Sequence, residues 1–313
     1  MQALHPVVRF APQYGSVTTA ATEERIPIAR LRAGAPIEGV FACTRKDRMT
    51  ARTGSAYLAL ELRDSSGAIP ARAFRDADHL AAQFERGDLV RVSGRVERFR
   101  DELSAELTAI ARVDPGDVDP ADFLPTAYRD LEELDGFLEH LGREVYDPGL
   151  RKLVDSFLGD AAFRSELRRA PCTRAGHHSY LGGLLEHTVA VATLAQEACN
   201  LHRRLDSDVL TAAALLHDVG KTREFTFGAE IGYSDEGRLI GHLAIGQEMV
   251  AERSAATGLE PARALALRHC IAAHHGADAL PGRRFGSAEA LALYRLNALD
   301  ASVKGALEHG LPT

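Results

Sequence analysis

The sequence predicts a multidomain chain with two domains of different class, a small β-barrel followed by an all-α domain. Three observations predict it. Residues 35–113 break into short, partly alternating apolar segments separated by turn signals. From Asp147 onward apolar residues recur at helical spacing. Nine of the 13 histidines fall between His177 and His275, inside the helical part. A length of 313 residues accommodates two or three such domains.

Residues 1–24 show no periodicity and read as a loose N-terminal extension. They lack a continuous apolar stretch followed by a small-residue cleavage site, so a cytoplasmic location is expected. No apolar run approaches the roughly 20 residues that cross a bilayer, which argues against a membrane partner. Residues 25–113 form the first domain. Its strand segments are PIEGVFACT, YLALELRD, AIPARAF, DLVRVSGRVERF and ELTAIARV, with turns at Arg52-Thr53-Gly54-Ser55, Asp64-Ser65-Ser66-Gly67 and Arg86-Gly87-Asp88. A helix over about Asp76 to Glu85 interrupts the series. Five strands with a helix between the third and fourth is the order of a five-stranded OB-fold barrel. Such barrels bind single strands by stacking and by basic side chains, here Tyr57, Arg72, Phe74, Arg95 and Phe99. Tyr57 and Phe74 serve equally well as core, and arginines on a barrel are usually solvated. Residues 25–113 hold 16 basic against 12 acidic side chains, so the rest of the chain carries −11 of the formal net charge of −7. A polyanion therefore has the N-terminal domain as its natural approach.

Residues 114–147 read as a connector, rich in Pro, Asp and Gly, with a short helix around Leu131–Leu141. Residues 148–313 carry candidate helices at 149–158, 161–169, 182–202, 207–218, 241–256, 261–274 and 287–309. The cysteines, at 43, 172, 199 and 270, are far apart and form no CxxC pair, which excludes a zinc ribbon and a disulfide framework.

The histidines lie on helix faces that should turn inward. His187 shares a stripe with Leu184, Val191 and Leu194; His217 with Leu210, Ala213 and Ala214; His242 with Ile245, Gly246 and Met249. Asp300 aligns with Leu293, Leu296, Val303 and Leu307. Unpaired buried polar groups cost several kcal/mol each. Mutual hydrogen bonds satisfy some of these groups, whereas a shared divalent metal satisfies all of them. His217-Asp218 closes the apolar run LTAAALLHDVGK, where Gly220 can end the helix in a left-handed turn. His274-His275-Gly276 repeats the arrangement.

The order His187, His217-Asp218, Asp300 resembles the HD metal-phosphohydrolase superfamily. HHSYLGGLLEHT (177–188), LLHDVGK (215–221), GH (241–242), HCIAAHHG (269–276) and LDA (299–301) are similar, more narrowly, to the YhaM family of bacterial 3′→5′ exoribonucleases, which also carry an N-terminal OB domain. The resemblance spans roughly residues 25–309. It departs at Tyr294 and Asn297, where the family usually has His and Asp, and at Phe74, which replaces a common tryptophan.

The resemblance implies a 3′→5′ exonuclease for single-stranded RNA, with single-stranded DNA as a second substrate and mononucleotides as products. It implies one ion held by His187, His217, Asp218 and Asp300, and a second by His242, His274 and His275 with Asp218 bridging. Nitrogen and oxygen donors suit Mn²⁺ or Fe, and Co²⁺, Ni²⁺ or Zn²⁺ are also possible; Mg²⁺ fits less well. A single ion is the alternative. Lys221 would meet a substrate phosphate, or else cap its helix in solvent. His178, or His177 beside it, would contact the phosphate or protonate the leaving oxygen, or else be a backbone-bonded loop histidine. The catalytic set is thus Asp218, Lys221 and His178, while His269 reads as structural. Two rival readings stand beside this one: an HD-type nucleotide or cyclic-nucleotide phosphohydrolase, and a nucleic-acid-binding protein with a structural metal site.

Overall fold

In a computed structural model, residues 26–51, 54–99 and 101–311 are described. The expected extension over 1–24 and half of the first predicted turn, Arg52-Thr53, lie outside them. Among the described residues, β1 (Pro36–Thr50), β2 (Ala56–Asp64), β3 (Gly67–Ala73), β4 (Leu89–Phe99) and β5 (Glu102–Val113) close into a barrel in the order β1-β2-β3-β5-β4. Neighbours are antiparallel except β3 and β5, and β1 closes the barrel on β4. Strand alternation decides the interior. Leu58, Leu60 and Leu62 point inward from β2, and meet Ile37 and Phe41 from β1 and Val92 and Val96 from β4. Gly94 is required where β4 shifts register against β5, because a Cβ there would sit 2.2 Å from the Glu106 carbonyl oxygen.

Two elements of the barrel differ from the sequence reading. β1 runs on through Lys46–Thr50, paired with β2 from Leu60 back to Ala56. This arm is polar because most of it is exposed, so it lacks the apolar signal of a strand. The helix between β3 and β4, α1 (Ala77–Ala81), is half the expected length. Lys46 Nζ donates to the carbonyl oxygens of Ala81, at 2.8 Å, and Phe84, which takes the carbonyls a longer helix would use internally.

The helical part comprises α2 (Leu131–Arg143), α3 (Pro148–Leu158), α4 (Ala161–Arg169), α5 (Gly183–Leu201), α6 (Ser207–Leu216), α7 (Lys221–Glu224), α8 (Asp235–Leu239), α9 (His242–Thr257), α10 (Pro261–Ala273) and α11 (Ala288–His309). Aspartates cap many of the N-termini; Asp130, Asp147, Asp160 and Asp206 each accept from backbone N–H groups of the first turn. Leu134, Leu138, Phe157, Leu184, Leu210 and Ile271 are among the residues of one continuous core. The domain is not wholly α. A two-stranded hairpin, β6 (Phe225–Phe227) and β7 (Ile231–Tyr233), follows α7. Three-residue strands are too short to register as alternation. Val303 and Leu307, expected on the inward stripe of α11, are exposed, because the last turns of α11 run beyond the core. No helix among the described residues is long and apolar enough to cross a membrane.

The barrel meets the hairpin. Arg63 Nη2 donates to the Ala229 carbonyl at 2.6 Å, and Ala42, Leu89, Phe123 and Ala229 pack together.

Candidate metal centre and its cavity

The histidines converge because helix ends bring them together. His217 and His274 occupy the C-caps of α6 and α10, and His242 is the first residue of α9. Carbonyls in a last helical turn lack amide partners. His217 Nδ1 lies 2.8 Å from the Ala214 oxygen and His274 Nδ1 lies 2.7 Å from the Ile271 oxygen. A carbonyl only accepts, so the proton sits on Nδ1 and each Nε2 presents a lone pair inward. His242 Nδ1 is fixed likewise, 3.0 Å from Glu224 Oε1. His187, wholly buried on α5, has Nδ1 2.6 Å from Asp300 Oδ2. Gly220 is the close-approach residue of this assembly. Its backbone is right-handed, not left-handed as the sequence suggested, and a Cβ would lie 2.1 Å from the His242 carbonyl oxygen.

The four Nε2 atoms face Asp218. Its Oδ2 lies 3.3 Å from His217 and 3.6 Å from His187, while Oδ1 lies 3.3 Å from His274 and 3.7 Å from His242. His187 Nε2 and His217 Nε2 are 3.2 Å apart. Lone pairs that close, in a buried site beside a carboxylate, repel unless a cation lies among them. Asp218 Oδ1 and His274 Nε2 are buried without a hydrogen-bond partner. Burial lowers the pKa of His187 to about 4 and of His275 to about 3, and depresses that of His274. Neutral imidazole is the form that ligates. The donor set thus fits a divalent cation of the kind an HD domain binds.

The predicted ligands assemble into overlapping groups. Asp218, His242, His274 and His275 have ligand atoms within 4.8 Å of one another, and so do His187, His217 and Asp218. Asp300 does not join these; it groups with His178 and His187 through its Oδ2.

His178 departs from the role expected of it. It is 1% exposed and does not line the cavity. Its ring spans Tyr180 OH at 2.9 Å and Asp300 Oδ2 at 3.0 Å, while its N–H donates to Glu308 Oε2 at 3.0 Å and its backbone takes a φ of 50°. Burial opposes a charge on this ring, but Asp300 and Glu186 outweigh it and raise the pKa. Burial likewise opposes ionisation of Asp300, yet His178 and His187 hold its carboxyl well below the usual range. The adjacent His177 does line the cavity.

Lys221 is buried, with Nζ 2.7 Å from Asp218 Oδ2 and 3.4 Å from Cys172 Sγ. Burial disfavours its charge, but Asp218 prevails and raises its pKa. It is no solvated cap. Burial pushes the Cys172 thiol up to about 12, so it stays neutral. These residues open onto a cavity of about 410 Å³, lined also by Arg174, Glu224, Phe225, Tyr233 and Asn297. Of these five only Asn297 was named from sequence, as a departure from the family pattern and not as a site residue. Asn297 is buried and donates to the His274 carbonyl at 3.2 Å, which fixes the helix end carrying that ring. Glu224 carries the one readable signal, an acidic residue soon after the His-Asp pair. His269 is in none of these ligand groups, and its Nε2 accepts from the Gly286 amide at 2.9 Å.

On the barrel, the Tyr57 and Phe74 rings lie 5.2 Å apart at 30°, with Phe74 46% exposed. Arg72 and Arg95 face Glu106 from the two strands that flank it. Arg95 lines a shallow groove together with Glu38, Glu97 and Glu106. The side chain of Phe99 lies outside the described residues.

A model of the HD domain matches residues 184–302, and a model of the OB-fold nucleic acid binding domain matches residues 42–112. The 3′-5′ exoribonuclease YhaM of Oceanobacillus iheyensis is 28% identical over 244 residues, which cover 78% of this chain and 76% of that protein. Its counterpart in Halalkalibacterium halodurans is 26% identical over 246 residues, covering 77% and 75%. That of Listeria welshimeri is 26% identical over 261 residues, covering 81% of each.

Proposed function

We propose, from its similarity to the YhaM 3′-5′ exoribonucleases, that the chain is a metal-dependent 3′→5′ exonuclease that shortens single-stranded RNA, and single-stranded DNA secondarily, to mononucleotides. The observation that carries the reading is the convergence of four Nε2 lone pairs on the two oxygens of Asp218. The two sides of that carboxylate support two ions, Mn²⁺ or Fe first among the candidates. His187 and His217 would hold one and His242, His274 and His275 the other, with Asp218 shared and Asp300 steering or completing the first. Bound metal would supply Lewis-acid polarisation of the phosphate and a hydroxide at neutral pH.

The chain's own residues account for the rest. Lys221 puts a fixed positive charge beside Asp218 on the cavity wall, where a phosphate oxygen would arrive. His177, which lines the cavity as His178 does not, would hydrogen-bond that phosphate or the leaving oxygen. The exposed ring of Phe74 and the half-buried ring of Tyr57 beside it would hold upstream bases by stacking. The cytoplasm is the expected location.

The test is incubation of the purified protein with 3′-labelled and 5′-labelled RNA and DNA strands in Mn²⁺, Mg²⁺ or EDTA. We expect immediate release of the 3′ label as a mononucleotide, a ladder from the 5′ label, and no reaction in EDTA. Cleavage of a circular strand at the same rate would instead make it an endonuclease. Cleavage of mononucleotides or cyclic nucleotides alone would favour the phosphohydrolase reading.

A further inference from the structure

The cavity has an aromatic wall that the hydrolytic chemistry does not use. Phe225 and Tyr233 are directly paired across the hairpin, with ring centroids 5.4 Å apart at 35°. Phe225 is buried and backs Tyr233, a residue 47% exposed that lines the cavity. Leaving that much aromatic surface to water forgoes hydrophobic stabilisation. Opposite stands Arg174, its guanidinium 6.0 Å from the centre of the Tyr233 ring, at the outer limit of a cation–π contact. Among the described residues no carboxylate pairs with Arg174. Its backbone is nevertheless fixed, since Ser179 Oγ donates to the Arg174 carbonyl at 2.7 Å.

We propose that Tyr233 and Arg174 form a clamp for the base of the terminal nucleotide, which rests on the reading of the chain as a nuclease. A planar base between two flat groups needs about 7 Å, two van der Waals contacts of about 3.5 Å. The gap is about one ångström short of that, within the swing of an unpaired arginine side chain. A base stacked there places its phosphate in the same cavity as Lys221 and His177. Stacking and a guanidinium face tolerate any base, which suits an enzyme that removes every nucleotide in turn. Purines, with the larger face, are held more tightly than pyrimidines.

Calorimetric titration of the purified full chain with adenosine 5′-monophosphate, uridine 5′-monophosphate and ribose 5-phosphate tests this without reference to hydrolysis. The adenine nucleotide should bind about 5- to 150-fold more tightly than the sugar phosphate, the span that stacking of one base supplies. Tyr233→Ala should bring the two within about twofold, Tyr233→Phe should keep the preference, and Arg174→Ala should reduce it. Equal or undetectable binding of all three by the native protein overturns the clamp. So does a Tyr233→Ala protein, folded by circular dichroism, that loses both ligands equally, or a Tyr233→Phe protein that loses the preference. If the base preference holds but RNA is not shortened, the nuclease reading fails and the clamp stands as a mononucleotide site.

Discussion

His217 and His274 are fully buried, each with one ring nitrogen fixed on a carbonyl of its own helix, whereas Phe74 and Arg95 stand exposed on the outside of the barrel. The helical domain spends burial on polar groups and recovers it through partners arranged to the ångström. The barrel buries leucines and leaves its candidate contacts to solvent. Chemistry at a phosphorus atom needs rigid donors in a water-poor site, while holding a strand of any sequence needs only accessible rings. The helical site should therefore fail abruptly under substitution and the barrel gradually.

The strongest challenge to that contrast is Asp218→Ala. Four Nε2 atoms of the centre face this carboxylate, so we expect kcat to fall at least about 10³-fold and most of the metal to be lost. Full activity together with full metal content by elemental analysis would remove Asp218 from the centre. Next is His178→Ala, which takes away a brace of Asp300 without touching the cavity. Metal affinity should weaken by about 10–100-fold, read by titration with a competing chelator, and an unchanged affinity would show that Asp300 needs no such support.

On the barrel side, deleting residues 1–113 should raise KM for a long strand by about 5- to 150-fold per stacked base lost, and change hydrolysis of bis-p-nitrophenyl phosphate far less. The deletion also removes the Arg63 bond to Ala229, so circular dichroism must first show a folded helical domain. Similar KM values before and after truncation would deny the barrel its role. The smallest effect is expected from Arg95→Ala. Three carboxylates share its groove, so strand affinity by fluorescence anisotropy should change less than about twofold, and the salt slope by less than about one unit. A larger loss would show that this groove, and not the Tyr57–Phe74 face, carries the strand.

Much of the helical site was legible because imidazole and carboxylate on an apolar stripe is a costly pattern with few explanations. His187, His217, His242 and Asp300 were read that way, Asp218 and His274 from the repeated helix-end pattern, and they meet at or beside one carboxylate. What lay hidden depends on contacts between distant segments. Asn297 reads only as a departure from the family pattern until its amide is seen on the His274 carbonyl. His177 and His178 are indistinguishable in sequence, and only the turn at φ 50° sends one ring to the cavity and the other behind Asp300. The hairpin left no periodic trace, so Tyr233 passed unnoticed. The barrel's strand order was readable from its turns, but its outward side chains carry no burial signal, which is why the arginines were chosen by type and prove to sit beside Glu106.

The hairpin over 225–233 touches two things at once: its base walls the cavity and its tip, at Ala229, rests on the barrel. On the proposed function, such a strut would set a fixed span between the place where upstream bases are gripped and the place where the terminal bond is cut. A strand longer than the span is held at both ends and should be trimmed processively. Once shortened below it, the same strand can occupy only one end, and each further cut becomes a separate encounter. The digestion of a long RNA should therefore pause at one characteristic oligonucleotide length, which works as a molecular ruler of the distance between the two domains.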